Sequence, residues 1–247
     1  MSQDETKRDL SPSPDEPLSC ADETPVAPDQ GVIVRFEGVS FAYAGAAAPA
    51  LRDVSFEVPR GQATALMGPN GSGKSTALRL LLGLDHPSAG TVRVDGQVVD
   101  AALLRDPAAA KRLRQRVGLV FQDPETQLFC PSVEQEIAFG PQQMGLPADE
   151  VARRTEDCLA LFGLTELRGR APWRLSGGEK RRCALACVVS LGPELLCLDE
   201  PTNGLDEGSY GQLVSFLRAF VASGKTVLVA THDRAFAQAL GARELRL

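Results

Sequence analysis

The segment "GPNGSGKST" at residues 68–76 constrains the fold of this 247-residue chain more strongly than any other stretch. It matches the pattern G-x-x-x-x-G-K-[ST], in which glycines allow backbone N–H groups to turn inward around phosphate oxygens. The apolar stretch "ATALM" precedes the segment, and an amphipathic stretch follows it. We therefore predict a loop between a strand and a helix, with the helix beginning near Lys74 and ending by Gly83.

The side chains of this loop predict a phosphate site. Lys74 can reach the β and γ phosphates of a nucleotide, and Ser75 can bind Mg²⁺. A purely structural glycine turn is the alternative, but the strand and helix on either side favour phosphate binding. The predicted nucleotide-binding residues of this segment are Gly68, Pro69, Asn70, Gly71, Ser72, Gly73, Lys74, Ser75 and Thr76.

The charge distribution divides the chain into two parts. Residues 1–30 carry eight acidic and two basic side chains, which account for the whole net charge of −6. Because this proline-rich segment has few large apolar side chains, we expect it to be a disordered tail. Residues 31–247 are neutral overall and are predicted to form one nucleotide-binding domain, with no indication of a nucleic-acid partner. The chain has no run of about 20 apolar residues that would cross a bilayer.

The hydrophobic pattern predicts an α/β fold with two kinds of sheet. The stretches "VIVRFEGVSFAY" and "LRDVSFEV" alternate like antiparallel strands, and "GTVRVDGQVV" indicates a strand pair around Asp95-Gly96. The later apolar runs "RVGLVF", "ELLCLDEP" and "TVLVATHD" are separated by helical patterns. This alternation predicts a mostly parallel core sheet covered by helices, preceded by an N-terminal antiparallel β subdomain.

A helical subdomain is predicted to be inserted into the core sheet at about residues 123–178. The stretches "SVEQEIAFG" and "ADEVARRTEDCLALFGL" have helical spacing. Leu146-Pro147 separates them, and Gly163 is typical of a helix end. A further helix is predicted for "SGGEKRRCALACVVSLG".

The ends of three predicted core strands carry residues suited to nucleotide hydrolysis. Asp199 and Glu200 end the run "LLCLDE", at the edge of a parallel sheet where ligands bind. We predict that Asp199 supports Mg²⁺, directly or through water, and that Glu200 is the general base that polarises the attacking water. Solvated acids in an ordinary turn are the alternative.

Two further polar residues follow strands of the same sheet. His232 comes after "VLVAT" and could contact a γ-phosphate, although a lone histidine at a strand end is more often structural. Gln122 comes after "GLVF", and its amide could touch Mg²⁺ or water. We predict that both take part in catalysis and that Gln122 also belongs to the metal site.

A second glycine turn occurs in "LSGGEKRRCALA" at residues 175–186. Two adjacent glycines open what is predicted to be a helix, and a helix N-terminus with small residues admits an anion. The chain therefore carries two candidate phosphate-binding turns, and one bound nucleotide needs only one of them.

The order of these motifs resembles that of the nucleotide-binding subunits of ATP-binding cassette (ABC) proteins. The phosphate loop, Gln122, "LSGGE", "LLCLDEP", "NGLD" and "THD" carry the resemblance, which covers nearly everything from Val32 to Leu247. The resemblance implies a P-loop NTPase fold of the ABC type, with ATP and Mg²⁺, in which two subunits associate head to tail. Each subunit then binds the γ-phosphate of its partner's ATP. The residues implied to act in trans are Ser176, Gly177, Gly178 and, along the dimer interface, Asp206.

The resemblance also implies an aromatic side chain that stacks on adenine. Tyr43 in "SFAYAG" matches the position, and Phe41 is the competing candidate. An aromatic residue at a strand end is more often a packing residue, so the choice between the two rests on the position alone.

The segment "VFQDPETQLFCPSVEQEIAFGPQQMGLP" resembles the ATPases of energy-coupling factor transporters, especially those for cobalt and nickel. This implies a peripheral protein on the cytoplasmic face of the membrane. Its implied partners are a second ATPase subunit, either identical or a paralogue, a transmembrane coupling protein and a substrate-binding membrane protein. An amphipathic partner helix needs an apolar groove, which Leu128, Phe129, Ile137 and Phe139 could supply, although core packing explains each of them equally well.

Three alternatives to a cobalt or nickel importer stay open. The transported solute could be a vitamin such as biotin, because selectivity would lie in the membrane subunits. A soluble ABC ATPase of DNA repair, translation or cluster assembly is a second possibility, and the absence of long coiled-coil insertions disfavours it. A non-catalytic nucleotide sensor is the third, and the presence of Glu200 and His232 argues against it.

Overall fold

The computed structural model describes residues 31–247, so the predicted tail at 1–30 lies outside the described residues. Two sheets organise the described part: a four-stranded antiparallel sheet and a five-stranded parallel sheet covered by helices. This arrangement confirms the predicted α/β class with an N-terminal antiparallel part. Within residues 31–247, no helix combines the length and the apolar character that crossing a membrane requires.

The elements alternate along the chain as the hydrophobic pattern predicts. The strands are β1 (Val32–Phe41), β2 (Leu51–Pro59), β3 (Ala63–Met67), β4 (Ala89–Val94), β5 (Gln97–Val98), β6 (Val117–Val120), β7 (Leu195–Asp199), β8 (Thr226–Thr231) and β9 (Arg243–Arg246). The helices are α1 (Lys74–Leu81), α2 (Ala101–Arg105), α3 (Pro107–Arg116), α4 (Val133–Gln143), α5 (Ala148–Leu161), α6 (Gly177–Val189), α7 (Glu207–Ala222) and α8 (Arg234–Leu240).

The antiparallel sheet has the strand order β2-β1-β4-β5. Its β1 strand pairs with β2 and β4, and the β4–β5 hairpin turns at Asp95 and Gly96. Both turn residues have positive φ, 53° and 76°, as a two-residue hairpin turn with the right-handed twist of the strands requires. The predicted turn is therefore confirmed.

The parallel sheet has the order β6-β7-β8-β3-β9. Every residue of β3, β6, β7 and β8 is buried, because helices cover both faces of the sheet. Since these strands are parallel, their carboxyl ends meet at one edge. That edge brings together the phosphate loop after β3 and the polar residues that follow β6, β7 and β8.

The predicted helices α4, α5 and α6 are present and pack against one another. Ser132 caps α4 through its Oγ, which accepts a hydrogen bond from Gln135 N at 3.3 Å. Pro147 precedes α5, and Gly163, with φ of 62°, lies just beyond its end. The subdomain limits at 123 and 178 stay a prediction.

Four short elements were not predicted from the sequence: α2, α3, α8 and β9. α2 is five residues long and has no buried residue, and β9 is a four-residue strand without a fully buried position. α2 and β9 are too short to repeat a hydrophobic period, and α3, although ten residues long, buries only Ala110 and Leu113. β9 nevertheless completes one side of the parallel sheet by pairing with β3.

Gly118 lies at a close approach between β6 and α6. A Cβ atom on Gly118 would lie 2.2 Å from Cγ1 of Val188 on α6. Because Val188 is itself buried, it has little room to move away. A glycine at this position therefore lets α6 pack directly on the strand that leads to Gln122.

We predict that Gly118→Ala lowers the free energy of unfolding by about 1–3 kcal/mol through overpacking. The matched control is Gly211→Ala inside α7, where an added Cβ meets no atom within 4 Å. The control is expected to raise the free energy of unfolding by about 0.5–1 kcal/mol because alanine has the higher helix propensity. Urea denaturation of both variants measures the difference, and equal stability of the two would contradict the close approach.

Candidate nucleotide site

The phosphate loop joins β3 to α1, as predicted, and α1 begins at Lys74. Gly73 has φ of 96°, and a Cβ at this position would lie 2.4 Å from the carbonyl oxygen of Ala50. A Cβ on Gly68 would lie 2.4 Å from Oγ of Ser72. Glycine is therefore required at both ends of the loop, by backbone conformation at Gly73 and by crowding at Gly68.

Lys74 connects the phosphate loop to the end of β7. Its Nζ donates hydrogen bonds to the carbonyl oxygens of Gly68 at 2.8 Å and Pro69 at 3.1 Å. The same ammonium group lies 3.2 Å from Oε1 of Glu200, and both side chains are at most 7% exposed. A buried cation is thus held at the mouth of the loop by neutral carbonyls and one carboxylate.

Glu200 follows β7 in a strained backbone conformation. Its φ of 43° lies in the left-handed region, which is unusual for a residue other than glycine and is found most often at functional sites. Its Oε2 accepts a hydrogen bond from Oγ1 of Thr231 at 3.3 Å and lies 3.0 Å from Nδ1 of His232. Groups at the end of β8 and in the phosphate loop therefore hold the carboxylate in place, while the His232 side chain is about half exposed.

The three predicted metal-site side chains, Ser75, Gln122 and Asp199, line one cavity of about 240 Å³, which Asp123 and Thr126 also line. Asp199 is 7% exposed, and among the described residues its Oδ1 has no hydrogen-bond partner. Burial raises the pKa of the Asp199 carboxyl above its ordinary value, the Glu200 charge acts in the same direction, and a hydrogen bond with Ser75 opposes the rise. The predicted metal-site residues therefore lie together.

Tyr43 lies beside the phosphate loop. Its hydroxyl is 3.1 Å from Oγ1 of Thr76, and 44% of its surface is exposed. Phe41, the competing candidate, is only 9% exposed and contacts the Tyr43 ring edge to face. Of the two, Tyr43 is the aromatic side chain available to a ligand, and its role in adenine binding stays a prediction.

The second glycine turn lies on the surface at the start of α6. Ser176 Oγ accepts a hydrogen bond from Glu179 N at 3.4 Å, and Glu179 Oε2 accepts one from Ser176 N at 2.7 Å. This reciprocal cap begins α6, and the Ser176 hydrogen bonds lower the pKa of Glu179. Ser176 and Gly177 are exposed, and within residues 31–247 no hydrogen bond or ion pair joins this turn to the phosphate loop.

Asp206, the fourth residue predicted to act in trans, begins α7. Its Oδ1 accepts a hydrogen bond from Ser209 N at 2.7 Å, and this bond lowers the pKa of the carboxyl. The side chain is exposed. A cavity of about 740 Å³ between α5, α6 and α7 lies nearby; it is lined by Gly178 but by no residue of the phosphate loop.

Two arginines near the site were missed by the sequence analysis. Arg234 and Arg246 line a cavity of about 300 Å³ together with Gly68, Pro69 and His232. Arg246 reaches this position because β9 pairs with β3, where Leu247 N donates to the carbonyl oxygen of Met67 at 3.0 Å. The stretch "RELR" has no apolar run, so the sequence contained no usable signal for it.

We predict that Asp199→Asn raises the melting temperature of the nucleotide-free protein by a few degrees at pH 7. The folded-state pKa of Asp199 is raised, so its ionised form opposes folding above the ordinary pKa of 3.8 and has no effect well below it. The gain should therefore shrink as the pH falls towards that value. Thermal unfolding followed by circular dichroism measures the gain at each pH.

Asp206→Asn is the matched control for this substitution. Because the pKa of Asp206 is lowered in the folded protein, its ionised form favours folding, and its replacement should bring no gain at pH 7. A melting temperature of Asp199→Asn at or below that of the wild type would contradict a net cost of burying the Asp199 charge.

Residues 51–203 match the ABC transporter family. The nickel import ATP-binding protein LarO of Lactiplantibacillus plantarum is 48% identical over 193 residues, which is 78% of this chain and 80% of LarO. The energy-coupling factor transporter ATP-binding protein EcfA of Methanothermobacter thermautotrophicus is 41% identical over 201 residues, which is 81% of this chain and 63% of EcfA.

Two solved structures have the same architecture. CbiO1 of Clostridium perfringens, part of the ABC transporter complex CbiONQ, superposes with a TM-score of 0.72 at 35% identity, over 82% of this chain and 79% of CbiO1. A dimeric ATP-binding cassette, MJ0796, in a post-hydrolysis state with ADP and phosphate, gives a TM-score of 0.76 at 28% identity, over 84% of this chain and 91% of that cassette. Motifs, fold and relatives agree that the chain belongs to the ABC transporter family and is an ATPase of that family.

Proposed function

We propose that this chain is the ATP-hydrolysing subunit of an energy-coupling factor type importer for a transition-metal ion, cobalt or nickel. It acts as a head-to-tail pair on the cytoplasmic face of the membrane. One observation carries the proposal: Lys74, Ser75, Gln122, Asp199, Glu200 and His232 converge at one sheet edge, whereas the second phosphate-binding turn of the same chain is exposed and, among residues 31–247, forms no hydrogen bond or ion pair with them. A nucleotide bound at that edge therefore needs a second copy to cover it.

ATP binding uses groups that are already in place around the loop. The backbone N–H groups of the loop and the N-terminus of α1 receive the phosphates. Lys74 already donates hydrogen bonds to two carbonyl oxygens, and its ammonium group exchanges the ion pair with Glu200 for the β and γ phosphates. Tyr43 stacks on the adenine ring.

The residues around the small cavity fit a magnesium ion. Asp199 offers a buried carboxylate oxygen without a partner among the described residues, and Ser75 and Gln122 offer neutral oxygens. Mg²⁺ prefers oxygen ligands of this kind. When bound there, Mg²⁺ would offset the charge of the phosphates. These three side chains would hold it, with Gln122 also within reach of the attacking water.

Glu200 serves as the general base. Once Lys74 has turned to the phosphates, the carboxylate is available to accept a proton from water, while Thr231 continues to orient it. His232 contacts Glu200 through Nδ1 and lines a cavity with Gly68 and Pro69, which places it between the base and the phosphate loop. We assign it to the γ-phosphate.

The partner subunit supplies the second phosphate-binding turn. Ser176, Gly177 and Gly178 open α6 on an exposed surface, and an added Cβ at Gly177 would meet no atom within 4 Å. This open helix N-terminus can accept an anion from outside the chain. Asp206, exposed at the start of α7, lies along the same interface. The dimeric state of the related cassette MJ0796 supports this arrangement.

The metal solute and the membrane partners are inferred from relatives and from one surface. LarO is named for nickel import, and CbiO1 belongs to a multi-subunit transporter complex. Phe129 and Phe139 are 64% and 39% exposed, and their rings are 5.0 Å apart. They form an apolar surface suited to the coupling helix of a membrane protein. Ile137, also considered for this surface, is fully buried and belongs to the core.

We predict that Glu200→Gln keeps ATP binding but lowers the rate of hydrolysis at least about 100-fold, because an amide has the shape of the carboxylate but cannot accept the proton. ATP should then trap a dimer, visible as a doubled mass by light scattering. The matched control is Glu166→Gln, an exposed glutamate, which should hydrolyse ATP at the wild-type rate. Wild-type turnover by Glu200→Gln would rule out Glu200 as the base.

We also predict complementation between two inactive variants. Lys74→Ala removes the lysine that binds the phosphates, and Ser176→Arg blocks the second glycine turn. Each variant alone should therefore be inactive. In a 1:1 mixture, half of the dimers are mixed and carry one intact composite site, so about a quarter of the wild-type activity should return. A standard ATPase assay measures the recovery. Full activity of Ser176→Arg alone, or no recovery on mixing, would contradict assembly of the site from two subunits.

A further inference from the structure

Gln127 completes the outer side of an edge strand with its side chain. Among the strands of residues 31–247, β6 is an outermost strand of the parallel sheet and pairs only with β7. The Gln127 amide supplies the missing neighbour: Nε2 donates to the carbonyl oxygen of Leu119 at 3.0 Å, and Oε1 accepts from Phe121 N at 3.0 Å. We refer to these two hydrogen bonds as the Gln127 clamp.

The clamp imitates a peptide group of a parallel strand. In a parallel ladder, the C=O of one residue and the N–H of the residue two positions later point to the same side and pair with one residue of the neighbouring strand. A side-chain amide carries a donor and an acceptor on adjacent atoms, so it can satisfy both groups at once. Leu119 is only 7% exposed, and loss of the clamp removes the side-chain donor that its carbonyl has on this side of the strand.

The backbone partners of the clamp lie beside the predicted metal site. Leu119 and Phe121, its two backbone partners, line the same cavity as Ser75, Gln122 and Asp199. Gln127 itself does not line that cavity. Gln122 is joined to Phe121 by one peptide bond, so fixing the Phe121 N–H also fixes the direction in which Gln122 leaves the strand.

Most other contacts of this loop are local or exposed, and Arg181 Nη2 on α6 donates a long hydrogen bond to the carbonyl oxygen of Gln122 at 3.5 Å. Asp123 Oδ1 accepts a hydrogen bond from Glu125 N, and Thr126 Oγ1 donates to the carbonyl oxygen of Asp123, both within the loop. Glu125 forms an ion pair with Lys180 on α6 but is largely exposed, and such pairs contribute little. The clamp is the pair of side-chain hydrogen bonds that ties the loop to β6 immediately before Gln122, whereas Arg181 contacts the Gln122 carbonyl from α6.

We propose that Gln127 is a positioning residue for hydrolysis: its amide holds the β6 end so that Gln122 faces Ser75 and Asp199. This rests on the proposed function, in which Gln122 contacts Mg²⁺ or the attacking water. Gln127 contacts neither. Its loss should therefore affect turnover and the Mg²⁺ requirement more than ATP binding.

The test compares Gln127→Met, which keeps the shape but neither hydrogen bond, with Gln143→Met, an exposed glutamine of α4. For Gln127→Met we expect the Mg²⁺ concentration for half-maximal ATPase activity to rise about 10-fold or more, as with the loss of other residues that orient metal ligands. We expect kcat to fall while KM for ATP stays within about twofold. Gln143→Met should match the wild type in all three. An unchanged Mg²⁺ requirement in Gln127→Met, or the same change in Gln143→Met, would overturn the proposal.

Gln127→Glu gives a second readout that general destabilisation would not reproduce. At neutral pH the carboxylate can accept from Phe121 N but repels the carbonyl of Leu119, whereas the protonated acid offers a donor and an acceptor like the amide. The ratio of its kcat to that of the wild type should therefore rise as the pH is lowered from about 8 to about 5.5. Asp123, Glu125 and Lys180 are present in both proteins, so the ratio removes their titration. A ratio that stays constant or falls would count against the clamp.

Gln122→Met separates this proposal from the proposed function. If Gln122 contacts Mg²⁺ and Gln127 acts through it, Gln122→Met alone raises the Mg²⁺ requirement and the double variant is no worse than Gln122→Met. If Gln122→Met has a normal Mg²⁺ requirement, the assignment of Gln122 is wrong. If Gln122→Met is impaired but Gln127→Met is not, only the positioning role is wrong.

Discussion

The buried contact between Lys74 and Glu200 is the interaction around which the site is organised. It joins the first residue of α1 to the residue after β7, and it places a cation and a carboxylate side by side where water has little access. Neither charge is stable there alone, since an isolated buried charge strongly disfavours folding. The ion pair is therefore expected to separate when an anion that binds Lys74 more strongly than Glu200 does enters the site. In the proposed mechanism the phosphates of ATP are that anion, and their binding releases Glu200 to act as the general base.

The parallel sheet explains why these groups meet while the second glycine turn stays on the surface. Strand order places the ends of β3, β6, β7 and β8 at one edge, so residues far apart in the sequence share one small region. The same packing lays α6 against β6 at Gly118 and turns its N-terminus outward. Ser176 and Glu179 satisfy that N-terminus by capping each other. A second subunit that brings a phosphate to this turn would compete with the cap.

Much of the fold and of the candidate site could be predicted from local patterns. Several features are determined by patterns within about ten residues: the loop "GPNGSGKST", the buried runs before Gln122, Glu200 and His232, and the Asp95-Gly96 turn. The missed elements are short or lie at an edge: α2 and α3, β9 with Arg246, and the Gln127 clamp. Ile137 shows a related limit, since its helical spacing alone did not distinguish the core from the docking surface.

The sequence by itself therefore determined the chemistry available to this protein: a glycine loop with Lys74 and Ser75, acids and a histidine at strand ends, and a second glycine turn. Only the tertiary structure decided which of these groups share a site. Residue type and periodicity depend on neighbours along the chain, but the pairing of Lys74 with Glu200, the arrival of Arg246 beside Gly68 and the outward direction of Ser176 depend on strand order and helix packing. Strand order and helix packing are determined by the need to bury both faces of one sheet at the same time. No short stretch of sequence contains that constraint.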